Sequence, residues 1–335
     1  MARGGRPGGK DEEDPIEHNK DAKHLLDSIG KIVHDLVKTA EAKTYDSYLK
    51  GSLSQASIFV GETVSSNDPC NLESEYAKLI NGSGSGGVTA RGDPCGSAGE
   101  KRFSKERVAE YDEKKIRDTN KSKGGNNEGQ CAPYRRLSLC VKNLKNINNI
   151  DSDKARHNLL ADVCLAAKYE GQSIKTHLEK YDAEYPSVSS FTTCTMLARS
   201  FADIGDIVRG RDLYRGNSKE KDYLQDKLKK YFQKIYEGLT STNGVKDHYQ
   251  DKNGGNYYKL REDWWTANRE TVWEAMTCKA EGAYFRATCS HVDGKSQSQA
   301  TKQCRCDGAK GASVVPTYFD YVPQYLRWFE EWAED

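Results

Sequence analysis

Apolar residues recur every three or four positions through most of this chain, which marks amphipathic helices rather than strands. From Asp21 onward, Leu25, Leu26, Ile29, Ile32, Val33, Leu36 and Val37 form one stripe, with Lys20, Lys31 and Lys38 together on the opposite face. Phe191, Cys194, Leu197, Phe201, Ile204 and Val208 form an unbroken core stripe. Leu160, Val163, Cys164 and Ala167 share another face, and Leu224, Leu228, Tyr231 and Ile235 make a further one. Trp265, Val272 and Met276, with Trp273 alongside, predict a fourth helix of the second half, and Val322, Leu326, Phe329 and Trp332 open a fifth. Gly/Asn-rich links at 241–256 and 291–312 separate these segments, and no alternating pattern of strand length occurs. The predicted class is mainly α.

Length and composition add a constraint. The 335 residues fit one large domain or two to three subdomains. Apolar residues make up 36% and charged residues 30%, lean in core material against the usual ~45–50% apolar. A lean core needs staples, and ten cysteines are present. The one close pair, Cys304-Arg305-Cys306, is a residue short of C-x-x-C, and no histidine lies at metal spacing, so disulfides are expected rather than a metal. Disulfides imply an oxidising compartment. Yet residues 1–15 are Gly-, Pro- and charge-rich, a disordered lead without the apolar core of a secretory signal, and no run reaches the ~20 apolar residues of a membrane span.

Charge is nearly balanced, 51 Lys+Arg against 50 Asp+Glu, which excludes a globally basic nucleic-acid binder but not local patches. Residues 101–145 hold 13 positive and six negative side chains, among them Lys101, Arg102, Lys105, Lys114 and Lys115. Residues 209–234 hold nine positive and four negative, among them Arg211 and Lys227. Such patches favour sulfated glycans, phosphates or acidic protein surfaces, and no stacking pattern points to nucleic acid. The Lys20/Lys31/Lys38 face reads either as a solvated helix face or as a positive ridge. Gly82, Gly84 and Gly87 match G-x-G-x-x-G without the strand–turn–helix context of a dinucleotide site, and Arg91-Gly92-Asp93 is an integrin tripeptide short enough to arise by chance. No nucleophile elbow, Walker loop or H-E-x-x-H is present, and the Glu262-Asp263 pair suits a helix start without any chemistry. An enzyme is not expected, nor a cofactor.

Four segments are more specific. They are Cys131-Ala-Pro-Tyr-Arg-Arg-Leu-Ser-Leu-Cys140, Ala198-Arg-Ser-Phe-Ala-Asp-Ile-Gly-Asp-Ile-Val-Arg-Gly-Arg-Asp-Leu-Tyr214, Arg261-Glu-Asp-Trp-Trp-Thr-Ala-Asn-Arg-Glu-Thr-Val-Trp273 and Pro316-Thr-Tyr-Phe-Asp-Tyr-Val-Pro-Gln-Tyr-Leu-Arg-Trp-Phe-Glu-Glu-Trp332. In sequence and order they resemble the Duffy-binding-like α domain of the Plasmodium falciparum erythrocyte membrane protein family, the var adhesins, and the first ~65 residues resemble the segment preceding it.

The resemblance implies a disulfide-linked helical fold in subdomains: an N-terminal segment over 1–65, a loop-rich first subdomain over 66–160, a helical bundle over 161–312 and the start of a third over 313–335. It implies export to the infected red-cell surface through a downstream transmembrane segment, with adjoining domains of the same long protein as neighbours. It also implies adhesion to host red cells or endothelium through heparan sulfate, blood-group sugars or complement-type receptors. On this reading the long motifs, Arg135 and Arg136 included, are scaffold. Ligand binding then falls to the charged stretches, led by Lys20, Lys31 and Lys38 and the two basic patches. Spacing and resemblance favour Cys194–Cys278 as a disulfide, with Cys289 paired to Cys304 or Cys306. Where many relatives carry a cysteine, this chain has Glu110-Tyr111-Asp112, so a first-subdomain disulfide is open to doubt.

Overall fold

The computed structural model describes residues 21–39, 42–59, 66–81, 90–96, 132–147, 151–184, 193–214, 218–240, 244–252, 254–290, 297–307 and 313–334. The class is mainly α, as the periodicity predicts. In chain order the helices are α1 (Ala22–Thr39), α2 (Ala42–Leu49), α3 (Glu73–Asn81), α4 (Tyr134–Leu137), α5 (Ala155–Glu184), α6 (Thr193–Arg209), α7 (Ser218–Glu237), α8 (Val245–His248), α9 (Tyr258–Met276) and α10 (Gln324–Glu334). Among the described residues one small antiparallel pair, β1 (Ala287–Ser290) with β2 (Gln297–Gln299), is too short for a strand pattern to register in the sequence. No described helix is long and apolar enough to cross a membrane.

The centre is a layer of α5, α6 and α9. Trp264, Trp265 and Trp273 on α9 are buried, and Phe201 of α6 packs between Trp265 and Trp273 at centroid distances of 5.0 and 5.2 Å. Gly171 permits the α5–α9 crossing, because a methyl there would overlap the Met276 carbonyl. α6 is buried all round from Cys194 to Arg209, so its ionic residues need partners inside the protein. Four arginines from elsewhere in the chain and from α6 itself answer this. Arg135 reaches Asp203 (2.7 Å) and Glu331 (2.8 Å), Arg327 reaches Asp203 (2.8 Å) and Asp206 (2.6 Å), Arg209 reaches Asp206 (2.9 Å), and Arg199 reaches Glu330 (2.8 Å). Arg136 pairs with Asp212 at 2.5 Å and Arg269 with Asp320 at 2.8 Å. Burial alone would raise the Asp203 carboxyl, but the Arg135 and Arg327 guanidiniums outweigh it and hold it well below the usual carboxylate range. Arg135 and Arg136 are therefore internal struts that tie the first motif to α6 and α10.

Among the described residues four disulfides close the fold: Cys70–Cys278, Cys95–Cys140, Cys194–Cys304 and Cys289–Cys306. This corrects the expected Cys194–Cys278 bridge. Cys278 lies just past α9, against the 3-10 turn Pro69–Leu72, and so meets Cys70. Cys194 opens α6 beside the turn at Gln303 and Cys304, both of positive φ, where Trp273 also donates to the Cys304 carbonyl. Of the two alternatives for Cys289 the partner is Cys306, while Cys304 is bridged to Cys194 of α6. Cys164 is free and buried; Cys131 lies outside the described residues.

Candidate binding surface

α1 docks in the sense opposite to its apolar stripe. Leu25, Ile29, Ile32, Val33 and Leu36 are exposed, Leu36 by 66%, while Leu26, Asp27, Gly30 and His34 face the body. The cause is a buried acceptor at the centre of the contact. The Asp27 carboxylate accepts from the Tyr318 amide (2.8 Å), the Tyr284 hydroxyl (3.1 Å) and the Thr317 hydroxyl (3.3 Å), and pairs with Arg286 at 3.3 Å. Gly30 allows the approach, since a Cβ would collide with the Tyr318 carbonyl oxygen and crowd Val322. His34 packs its ring against Tyr318 and Tyr321 at 5.0 Å. Asp27, Gly30 and His34 sit three and four residues apart, so this polar line was present in the sequence, overshadowed by the stronger apolar signal beside it.

α10 repeats the inversion. Val322 is buried as expected, but Phe329 (76% exposed), Trp332 and Tyr325 face outward. The inner face of α10 carries Gln324, Arg327, Trp328 and Glu331, fixed to α6 by the ion pairs above. α10 also contacts α1, so two outward apolar faces lie on neighbouring helices.

The cations named from sequence divide three ways. Lys20, Lys101, Arg102, Lys105, Lys114 and Lys115 lie outside the described residues, as does the Lys38 side chain. Lys31 is half-buried, bonded to Asp35 at 2.6 Å and placed over the Tyr318 ring at 5.9 Å, so it leans toward the body instead of standing on an open ridge. Arg211 is exposed and pairs with Glu262 at 2.7 Å. Lys227 donates to the Ile147 carbonyl at 3.3 Å and covers Tyr223. Lys31 and Arg211 thus border the same short turn, Phe319–Tyr321, whereas Lys227 belongs to α7, whose outer face also presents Lys230. The Arg91-Gly92-Asp93 tripeptide is not offered to a receptor. Arg91 is buried against Asp162 at 2.8 Å, and Asp93 accepts from the Cys95 amide.

The described residues thus form a helical scaffold stapled by disulfides, with paired charge inside and apolar and cationic side chains on its outer faces. Comparison with known proteins agrees. The family model described as the Duffy binding domain matches residues 129–327, and that for N-terminal segments of PfEMP1 matches residues 21–57. The chain belongs to the Duffy binding domain family and carries the PfEMP1 N-terminal segment before it.

Among solved structures it is similar to the NTS-DBL1-alpha and CIDR-gamma double domain of PfEMP1 from the Plasmodium falciparum varO strain. The two are 37% identical with a TM-score of 0.71, over 94% of this chain and 43% of that one. It is also similar to a DBLβ domain of PfEMP1 bound to human ICAM-1, at 26% identity and a TM-score of 0.61, over 98% of this chain and 63% of that one. A curated relative, the Duffy receptor beta form of Plasmodium knowlesi, is 24% identical over 214 residues, 61% of this chain and 14% of the relative. The chain therefore spans about two-fifths and three-fifths of these structures and a seventh of the curated protein.

Proposed function

We propose that this domain is an adhesion module displayed on the infected red-cell surface, anchored by a downstream membrane span, and that it holds host red cells or endothelium through anionic glycans of the heparan-sulfate type. Family membership supports the adhesive role. The glycan class rests on one observation, the gathering of positive charge into 101–145 and 209–234 of a chain that is nearly neutral overall. Binding of this kind is Coulombic and weakens as the Debye length shrinks with salt. The test is elution of the purified domain from immobilised heparin across a sodium chloride series, beside a Lys20/Lys31/Lys38→Ala variant and a Lys227/Lys229/Lys230→Ala variant. Elution well above physiological salt, lowered in either variant, supports the reading and locates the site. Elution at or below physiological salt for all three overturns it.

A second reading has its own support. The outward apolar faces of α1 and α10 suit a protein receptor, or a complement-type receptor module, better than a polyanion. It predicts tight, salt-insensitive binding to a single protein and indifference to soluble heparin.

A further inference from the structure

Two features set the Cys70–Cys278 disulfide apart from the other three bridges of the described residues. In it alone is neither cysteine buried: Cys194, Cys304, Cys289 and Cys306 are all buried, and Cys140 closes off the bridge to Cys95. A cation also rests against one of its sulfurs. The Arg305 guanidinium is half-buried and donates to the Thr277 hydroxyl at 2.6 Å and the Glu274 carbonyl at 2.5 Å. Its remaining contact is the Cys70 sulfur, 3.6 Å from Nη2, while the Glu274 and Asp68 carboxylates act on it from beyond ion-pair distance. The buried Lys168 ammonium adds to the field, 3.5 Å from the Cys70 carbonyl. The Cys278 sulfur meets the opposite polarity, 3.3 Å from the Glu274 carbonyl oxygen, to which a thiol can donate but which repels a thiolate. Cys70 lies 3.6 Å from the same oxygen but has the guanidinium to offset it.

We propose that Cys70–Cys278 is a thiol-exchange site, opened by a small-molecule thiol such as glutathione and reclosed by its own free sulfur. The attacking thiolate bonds to the Cys278 sulfur as the Cys278–Cys70 bond breaks, and the electron pair leaves on Cys70 as a thiolate beside Arg305. A neighbouring cation lowers a thiol's pKa, and the thiol of lower pKa is the faster leaving group. The product is a mixed disulfide, with glutathione on Cys278. From there the Cys70 thiolate attacks Cys278 and expels glutathione, restoring the bridge. Alternatively a second glutathione thiolate attacks the glutathione sulfur and releases oxidised glutathione; the Cys278 thiolate then takes a proton from water and its S–H donates to the Glu274 carbonyl. Both reduced sulfurs are thus provided for, Cys70 as an anion and Cys278 as a donor. Opening frees the Pro69–Leu72 turn from the end of α9, while the burial of Leu72, Tyr76 and Leu79 holds α3 in place. The bridge is therefore a reversible tether on the segment that leads into α3.

The experiment exposes the intact oxidised domain to reduced glutathione and, at intervals, caps free thiols with a brief pulse of excess N-ethylmaleimide on the native protein. Peptides are then mapped by mass spectrometry without reduction. Glutathione on Cys278 and a capped Cys70, appearing before any other bridge opens, support the site. Cys164 supplies the control. It is free and buried, its sulfur 3.7 Å from the Thr271 carbonyl of α9, so its capping reports opening of the α5–α9 core. It should stay uncapped while Cys70 reacts. The variants are Arg305→Gln and Arg305→Lys, with thermal melts of the oxidised forms to confirm folding. Capping of Cys70 should slow about three-fold or more in Arg305→Gln, and less in Arg305→Lys, which keeps the charge. Any of five results overturns the proposal: another bridge opening first, no bridge opening, Cys164 capped in step with Cys70, glutathione on Cys70 in place of Cys278, or undiminished exchange in a folded Arg305→Gln. If Arg305→Gln fails to fold, the order of opening and the position of the adduct in the unaltered domain decide the matter.

Discussion

Replacing Asp27 with Ala should release α1 from the body while leaving the α5–α6–α9 core folded. The carboxylate is the common acceptor for Tyr284, Thr317 and the Tyr318 amide, all buried, and for Arg286. Each donor left without a partner costs about 1–3 kcal/mol. Arg286 is 23% exposed and can turn its guanidinium to water, so it adds little. Water entering the vacated space relieves part of the rest, which puts the net cost near 3 kcal/mol, the low end of the sum for three donors. At 1.4 kcal/mol per factor of ten, the undocked population should rise roughly 150-fold. Hydrogen exchange reads this directly: protection of the buried-side amides of α1 should fall by about two orders of magnitude, with those of α9 unchanged. Asp27→Asn keeps an oxygen for the three neutral donors and loses only the pairing with Arg286, so its effect should be several-fold smaller. Protection within two-fold of the unaltered domain in Asp27→Ala would refute the reasoning. So would an Asn variant as damaged as the Ala variant, because then geometry rather than hydrogen bonding holds the helix.

Four further outcomes follow from the same structure. Gly30→Ala favours the helix by about 1 kcal/mol in propensity but overlaps the Tyr318 carbonyl, and overpacking of about 1–3 kcal/mol should prevail, so α1 exchange should accelerate; an unchanged rate would mean the helix shifts freely. Arg135→Met leaves Glu331 buried without its guanidinium, which should cost about 3–5 kcal/mol in denaturant melts, and adding Glu331→Gln should recover part of it. His157 accepts from the Ser52 amide through Nδ1, and burial, with Arg156 and Lys154, pushes its pKa down to about 4. Its folded value lies below the unfolded ~6.5, so the unfolded chain takes the proton first and stability should fall as pH drops from about 6.5 to 4, a slope that His157→Gln should flatten. Removing Cys70–Cys278, whose ends are 208 residues apart, should cost about 5 kcal/mol on the chain-entropy model against about 3 for Cys289–Cys306, 17 residues apart, as measured by paired Cys→Ala melts.

The helices of the core were legible because their stripes had no competitor. Leu160 through Ala167, Cys194 through Val208 and Leu224 through Ile235 are buried where the spacing placed them. The peripheral helices were not, and for one reason. Periodicity reports which face is apolar, whereas docking is decided by whichever contacts cannot be left unmade. In α1 a buried carboxylate and a glycine outweigh five apolar side chains, and in α10 Arg327 and Glu331 outweigh Phe329 and Trp332. Disulfide pairing was illegible for a related reason: Cys194 and Cys278 look like neighbours along the stripes, but the turn at Cys304 and the turn at Cys70 are brought in by contacts more than 100 residues away.

Charge inside and apolar surface outside are linked. A chain with 36% apolar residues is short of hydrocarbon for a core, and this one places arginines and carboxylates at its centre. Each buried Arg still contributes its aliphatic stem to packing, so the ion-paired layer around α6 replaces hydrocarbon that would otherwise come from the helix stripes. Those stripes are then free to face outward. Such a layer is demanding in geometry, since a change to one member strands its partner, and this ties the long motifs to scaffold duty. The outward positions of α1, α7 and α10 carry no such constraint and can change side chain without unfolding the module. The adhesive surface proposed above is therefore best sought there, at exposed Phe329, Lys230 and Tyr325, rather than at the buried arginines of the motifs.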